Sequence, residues 1–172
     1  MYLTNNSNKI AVFTILYISL LVGFYFGENS SGGAYPDFMM RTEVIEKFKN
    51  DFLITFLQYD NTPDRHSPII LIIISYLNIL GISLDTIRFL HLHLLPILVF
   101  ISYKCLVIKF PNYDKNTIFL ISCVFFLSPT LRSIAIWPDS RIFGLVLFIF
   151  SIYFFLKFQK NKEFKNCIIN NI

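Results

Sequence analysis

Five long apolar runs dominate the pattern of hydrophobic and polar positions along the chain. They occupy residues 10–26, 68–84, 87–108, 117–136 and 142–158, and most polar residues lie in the connections between them. A helix needs about 20 predominantly apolar residues to cross the hydrocarbon core of a bilayer, within a range of roughly 17–25. The pattern therefore predicts an all-α membrane protein, with one long polar connection after the first run.

The composition supports this class and excludes two others. Of the 172 residues, 55% are hydrophobic and only 15% are charged, and the mean hydropathy is +0.58. Soluble domains carry about 25% charged residues, so a soluble globule and a disordered chain are both excluded. The net charge of +4 does not favour a nucleic-acid partner, because the lysines lie beside apolar runs and not on a basic face.

The first run, residues 10–26, follows a lone Lys9. A cleaved signal peptide is the alternative to a membrane-spanning helix here. The apolar region is long for a signal peptide, and no Ala-x-Ala-like cleavage site follows directly. An uncleaved anchor is therefore favoured.

The distribution of basic residues indicates how many runs cross the membrane. If all five crossed, the lysines of the 104–115 connection and of the C-terminal tail would lie outside, against the positive-inside rule. If residues 68–84 do not cross, the inside holds eight bases and two acids, and the outside seven bases and nine acids. Pro68, Asn78 and Gly81 also weaken this run as a lipid-facing helix.

We therefore expect about four transmembrane helices, with both termini in the cytoplasm. Residues 68–84 would form a short re-entrant or surface helix. Two regions would then face the outer compartment: the first outer loop, residues 27–88, and the turn at residues 129–141.

The outer loop contains a predicted amphipathic helix that begins near Asp37. Its apolar residues share one helical stripe: Phe38, Ile45, Phe48, Phe52 and Phe56. A carboxylate at a helix N-terminus is favoured by the free backbone N–H groups and by the helix dipole, so Asp37 should stay ionised. Asp37 is either a functional acid or only a helix cap.

Further polar candidates lie at the outer ends of the other runs. Arg65 and His66, in a polar turn, suit an anionic group, although a solvated turn is the alternative. Arg88 begins the second crossing, where a base either snorkels to the headgroups or binds a lipid phosphate. Asp139 borders the last run and is a candidate site residue; the alternative is a helix cap beside an interfacial Trp137.

His91 and His93 do not form a metal-binding pair in this pattern. Residues two apart on a helix point to different faces, whereas chelation uses residues four apart. Packing or hydrogen bonding within the membrane is therefore the expected role of both histidines.

The order of these parts resembles a known family. An acid begins an amphipathic outer helix, the turn His66-Ser67-Pro68 precedes a short apolar helix, Arg88 begins the next span, and Asp139 begins the last one. This is similar to the N-terminal part of the glycosyltransferase C superfamily. That group of polyprenyl-phosphate-dependent membrane enzymes includes the protein O-mannosyltransferases and the lipid A aminoarabinose transferase. The resemblance covers about residues 8–160.

The resemblance implies a reaction and a set of site residues. Asp37 and Asp139 would be the catalytic acids, with Asp37 activating the acceptor hydroxyl; both acids are also the candidates to hold a divalent metal ion. Arg88, Arg65 and His66 would bind the phosphate of the lipid carrier. The implied reaction is inverting transfer of a sugar from a lipid-linked donor to an acceptor on the outer face of the membrane. The expected location is a bacterial inner membrane.

The chain also departs from the family pattern. Phe38 stands where many members have a second acid, and members continue through several more spans. Residues 1–166 would thus form a single N-terminal transmembrane domain with a tail at 167–172, and a complementing C-terminal chain is an expected partner. A non-catalytic small membrane subunit or lipid-binding accessory protein remains the alternative. A transporter fragment is disfavoured, because the polar candidates share one outer face and transport sites lie near the midplane.

Overall fold

The computed structural model describes residues 4–30, 32–64 and 66–161, and this part of the chain is helical without strands. The predicted all-α class is confirmed. Arg65 and the tail at 167–172 lie outside the described residues. The α-helices are α1 (Thr4–Tyr25), α2 (Ala34–Asn50), α3 (Phe52–Leu57), α4 (Ile69–Ile79), α5 (Leu84–Leu92), α6 (Leu94–Lys109), α7 (Lys115–Cys123), α8 (Pro129–Ile136) and α9 (Ser140–Asn161).

Three helical stretches are long and apolar enough to cross a membrane: Ser7–Tyr25, Leu84–Lys109 and Ser140–Lys160. A fourth candidate consists of two pieces, Lys115–Leu127 and Pro129–Ile136, which meet at an angle of 63°. The number of candidate spans is therefore three, or four if the bent pair is a single span. This agrees with the predicted class, but residues 117–136 are not the straight helix that their hydropathy suggests.

The bend in the fourth candidate follows from the sequence at residues 128 and 129. Val124–Leu127 tighten into a 3₁₀ turn, and the Ser128 side chain then accepts a hydrogen bond from the backbone N–H of Leu131, at 3.4 Å. Pro129 lacks a backbone N–H and suits the first turn of the new helix, α8. A serine cap followed by proline therefore ends one helix and starts another.

Helix α4 is the short apolar helix expected within residues 68–84. Its 11 residues reach about 16 Å, roughly half of the hydrocarbon thickness. It packs against α2 in a separate apolar cluster that joins Val44, Ile45 and Phe48 to Leu71 and Ile74. These residues therefore do not form a simple spanning helix, as the charge distribution indicates.

Helix α2 has the predicted apolar stripe, but it ends earlier than expected. Phe38, Ile45 and Phe48 are buried. At Asp51 the helix breaks, because this side chain accepts a hydrogen bond from the backbone N–H of Ile54 and begins α3.

The change of direction at Asp51 leaves the next two aromatic residues, Phe52 and Phe56, about half exposed. The prediction that both residues continue the stripe of α2 is wrong, because α2 ends at Asn50 and Phe52 begins a new helix.

The bundle has two chemically different ends. At one end, Lys9 of α1 lies beside Tyr103 of α6 and Asn116 of α7. At the other end, Glu28, which follows α1, is hydrogen-bonded to Trp137, which follows α8. Helix α2 and the residues between α8 and α9 also lie at this second end, and the candidate site lies there.

Candidate active site

A buried arginine lies at the centre of the site. Arg41 is on the same stripe of α2 as Phe38 and Ile45, and only 2% of it is exposed. Its Nε donates to Asp64 Oδ2 at 3.1 Å, and its Nη1 donates to Asp139 Oδ2 at 2.8 Å. A charge without water must be paired and hydrogen-bonded, and here one guanidinium joins two carboxylates from different parts of the chain.

Asp139 is surrounded by donors. The backbone N–H of Arg141 donates to its Oδ1 at 2.8 Å, and the Arg141 guanidinium donates from Nε to Oδ1 at 2.8 Å and from Nη2 to Oδ2 at 2.7 Å. The interpretation of Asp139 as a helix cap is therefore confirmed, because this side chain caps the start of α9. Asp139 also has a second role, because its Oδ2 accepts a hydrogen bond from Arg41 as well.

The electrostatics of this cluster keep both buried acids ionised. Burial by itself raises the pKa of Asp139, but the hydrogen bonds from Arg141 and Arg41 outweigh burial and hold the pKa well below its usual range. Burial likewise raises the pKa of Asp64, and the side-chain and backbone hydrogen bonds of His66, together with the Arg41 charge, lower it overall. Neither carboxylate is therefore suited to accept a proton near neutral pH.

Asp37 differs from the other acids because it is accessible. Its side chain is 42% exposed, and its Oδ2 lies 3.7 Å from Nη2 of Arg141, which is 49% exposed. The helix begins at Ala34 with Gly33 as its N-cap, so Asp37 lies in the first turn of α2 and is not the N-cap residue. Asp37 and Asp139 are brought together, as predicted, and the guanidinium between them is that of Arg141.

His66 forms the accessible edge of the cluster. Its side chain is 44% exposed, and its Nδ1 lies 2.8 Å from Asp64 Oδ1 and 3.1 Å from Nη2 of Arg41. Nδ1 either donates to the carboxylate or accepts from the guanidinium, according to its protonation.

Tyr59 donates its O–H to the His66 carbonyl at 2.9 Å. Burial, and then the Asp64 charge, raise the pKa of Tyr59 to about 12, so this donor stays protonated.

Arg88 lies at the end of the bundle where it was predicted, but it is engaged by other groups. Its guanidinium stacks 3.7 Å from the ring centre of Trp137 and pairs with Asp85 at 2.8 Å, with only 13% of the Arg88 side chain exposed. Trp137 is itself buried and is not an exposed interfacial residue. Arg141 and His66 are therefore the more accessible basic groups of the site.

A second ion pair holds the end of α1 against α8. Arg132 Nε donates to Glu28 Oε1 at 2.8 Å, and the Trp137 indole N–H donates to the Glu28 carbonyl at 3.0 Å. The hydrogen bond from Arg132 lowers the pKa of Glu28. This pair holds Trp137, with the Arg88 guanidinium stacked on it, beside the cluster of Arg41, Asp64 and Asp139.

His91, in α5, and His93, between α5 and α6, both form hydrogen bonds, as expected. His91 Nδ1 lies 3.0 Å from the Ala135 carbonyl, and the Asp139 backbone N–H donates to His91 Nε2 at 3.4 Å. His93 Nδ1 lies 2.8 Å from the Phe89 carbonyl, and Tyr17 O–H lies 2.8 Å from His93 Nε2. His91 thus helps to orient the backbone at Asp139.

Asp139 has no free oxygen to offer a divalent cation in this arrangement. Among residues 4–30, 32–64 and 66–161, no group of three or more His, Cys, Asp or Glu side chains is placed to hold a metal ion. In addition, Arg41 and Arg141 occupy both oxygens of Asp139 with positively charged donors. The accessible basic groups, Arg141 and His66, suit an anion instead.

Three members of the cluster were not singled out from the sequence: Arg41, Asp64 and Arg141. For Arg41 a signal exists, since a base at position 41 interrupts the apolar stripe of positions 38, 45 and 48 and must find a buried partner. Asp64 and Arg141 carry no comparable pattern: Asp64 lies in a polar turn, and Arg141 is the second residue of α9. Their pairing depends on contacts across as many as 98 residues of chain.

Comparisons with protein-family models, with curated proteins and with solved structures gave no match for this chain.

Proposed function

We propose that this chain is a membrane transferase that moves a sugar from a polyprenyl-phosphate carrier to an acceptor hydroxyl. The observation that supports the proposal best is the arrangement of Asp37, Arg141 and Asp139. An accessible carboxylate, that of Asp37, and a buried one, that of Asp139, flank the same guanidinium, at 3.7 and 2.7 Å. Asp37 would accept a proton, Arg141 would bind an anion, and Asp139 would hold Arg141 in place.

In this proposal Asp37 is the general base. It is the accessible acid of the cluster, and a positioned base contributes about 10²–10⁴-fold to a rate. Asp139 is a positioning residue, since its oxygens are filled by Arg41 and Arg141. Arg141 binds the carrier phosphate through the part of its guanidinium that faces solvent, with His66 as a second donor when it is protonated.

The reaction balances without a further reactant. The acceptor oxygen attacks the anomeric carbon of the sugar, and its proton passes to Asp37. The bond between the anomeric carbon and the phosphate oxygen breaks, and the polyprenyl phosphate leaves with the electron pair, stabilised by Arg141. Attack on the side opposite to the leaving group inverts the anomeric configuration, and no step requires a metal ion.

The roles of the arginines differ from those that the resemblance implies. Arg88 is stacked on Trp137 and paired with Asp85, so we assign it to holding α5 against the loop before α9. Arg65 remains a candidate phosphate ligand from the sequence alone, as it lies outside the described residues.

The proposal is tested with the Asp37→Asn variant of the full chain in membranes. The donors are polyprenyl-phosphate mannose and polyprenyl-phosphate aminoarabinose, and the readout is release of polyprenyl phosphate. We expect Asp37→Asn to lower this release at least about 10²-fold while membrane insertion is normal. Asp60→Asn is the matched control, because Asp60 is an exposed acid of the same outer loop and should retain full activity.

Two results would contradict the proposal. One is the absence of donor turnover by the wild-type chain, both alone and together with a complementing C-terminal chain. The other is equal turnover by wild type and Asp37→Asn. Either result would favour the second candidate, a non-catalytic membrane subunit. The observation in favour of that candidate is that the buried Arg41 pairs with two buried carboxylates, Asp64 and Asp139, as in a purely structural network.

A further inference from the structure

A groove lies at the end of the bundle opposite to the candidate active site. It has a volume of about 390 Å³, and α1, α6 and α7 form its walls. The lining is apolar apart from two groups: Phe13, Val99 and Phe119 form the walls, and Lys9 and Tyr103 contribute the polar atoms. A second cavity of about 220 Å³ shares Lys9 and Phe119 with the groove and adds Asn116.

Two polar groups at this groove, the Lys9 ammonium and Asn116 Oδ1, form no direct ion pair or hydrogen bond among the described residues. Within the described part of the chain, Lys9 forms no ion pair within 4.0 Å. The Oδ1 atom of Asn116 is buried and has no hydrogen-bond partner there. A buried acceptor without a donor is unfavourable, so binding would be favoured for a ligand that donates a hydrogen bond to Asn116 and carries a negative charge next to Lys9.

The charge around the groove is positive. Lys104 stands over the ring of Phe100, which also lines the groove, at 5.1 Å. Lys115 begins α7, next to Asn116. The nearby acid, Asp114, accepts hydrogen bonds from the backbone N–H and the side-chain O–H of Thr117, at 2.9 and 3.1 Å. These bonds, with Lys9 as a lesser contributor, lower its pKa.

We propose that this groove binds an anionic glycerophospholipid whose headgroup carries a hydroxyl, such as phosphatidylglycerol. The lipid phosphate accepts a hydrogen bond from the Lys9 ammonium, and the headgroup hydroxyl donates to Asn116 Oδ1. One acyl chain lies along Phe13, Val99 and Phe119. Basic pockets between transmembrane helices bind lipid headgroups in this way, and the apolar walls favour a lipid over free phosphate. The site is independent of the proposed sugar transfer.

The test uses the full chain purified in detergent and titrated with phosphatidylglycerol or phosphatidylcholine, with bound lipid counted by native mass spectrometry. We expect wild type to prefer phosphatidylglycerol and Lys9→Gln to weaken that binding about fivefold, with binding of phosphatidylcholine unchanged. Lys157→Gln is the matched control. It removes the same charge from α9, and Lys157 lies near Tyr153 and does not line the groove, so its effect should stay below about twofold.

The variant Lys9→Arg should keep the preference, because the charge is retained. Inorganic phosphate should not displace the lipid. The proposal is overturned if wild type shows no preference between the two lipids, a result that needs no variant. It is also overturned if Lys9→Gln binds phosphatidylglycerol as wild type does, or if Lys157→Gln weakens binding equally, which would indicate general surface charge.

Discussion

Arg41 and Asp139 form a buried ion pair across 98 residues of sequence, with Nη1 and Oδ2 2.8 Å apart. Each side chain is only 2% exposed. This contact joins the amphipathic helix α2 to the start of α9. It therefore determines how Asp37 of α2 and Arg141 of α9 face one another.

The Arg41→Met variant tests the structural importance of this pair. Methionine leaves Asp64 and Asp139 buried with fewer donors, and removal of one partner of a buried pair costs about 3–5 kcal/mol. We expect a loss of this size in the free energy of unfolding, measured by titration with sodium dodecyl sulfate. Lys49→Met is the control on the same helix: its pair with Glu46 is exposed, so the loss should be below about 1 kcal/mol. Equal losses would contradict the central role of Arg41.

The pH dependence of stability follows from the two buried acids. The pKa values of Asp64 and Asp139 are lower in the folded chain than the usual value of 3.8. A carboxylate with a lowered pKa stabilises the fold above its unfolded pKa and loses this effect as the pH falls towards the folded pKa. Stability should therefore be constant from about pH 5 to 7 and decline below about pH 4.

The variant Asp139→Asn should be less stable than wild type at pH 7 and should show a shallower decline in acid. The measurement is the free energy of unfolding as a function of pH. Asp60→Asn, on an exposed acid, should reproduce the wild-type curve. A wild-type curve that rises below pH 4 would show that these acids are not held ionised by the fold.

The sequence predicts the helices and the general position of the site because both depend on local pattern. The run lengths favour a short α4, which has 11 residues, and the order of the runs brings Asp37 and Asp139 to one end of the bundle. The partners of these acids could not be predicted from local pattern. Arg41, although it interrupts an apolar stripe, pairs with Asp64 and Asp139 through packing of α2 on distant elements, and no local pattern specifies that choice.

Local pattern also fails where a single residue redirects the chain. Asp51 caps α3 and takes Phe52 off the stripe of α2. Ser128 and Pro129 together bend the fourth apolar run by 63°. Hydropathy is an average over many residues and so does not detect a break that one cap or one missing N–H produces.

Gly23 makes room for the ion pair between Glu28 and Arg132. A Cβ at this position would overlap the Glu28 carboxylate and lie 2.9 Å from Nη2 of Arg132. Both contacts are with the far ends of side chains, so Gly23→Ala should displace the Glu28 carboxylate and weaken its ion pair with Arg132. We expect this to cost about 0.5–1 kcal/mol in the free energy of unfolding. Gly144→Ala is the matched control: a Cβ at Gly144, also within a helix, meets nothing within 4 Å. Alanine there should be neutral or stabilise by up to about 1 kcal/mol. Equal effects of both substitutions would contradict the assigned role of Gly23.

Trp137 is the single tryptophan of the chain, so its fluorescence reports directly on the stacking of Arg88. The Arg88 guanidinium covers the indole ring at 3.7 Å, and the indole N–H donates to the Glu28 carbonyl. Arg88→Ala uncovers one face of the ring. We therefore expect stronger quenching by acrylamide, an emission maximum at longer wavelength, and a loss of about 0.5–2 kcal/mol in stability. Lys104→Ala removes a similar stacked cation, over Phe100, at the opposite end of the bundle, and should leave the emission unchanged. If quenching is the same in wild type and Arg88→Ala, Arg88 does not cover Trp137 in solution, and its assignment to holding α5 in place is wrong.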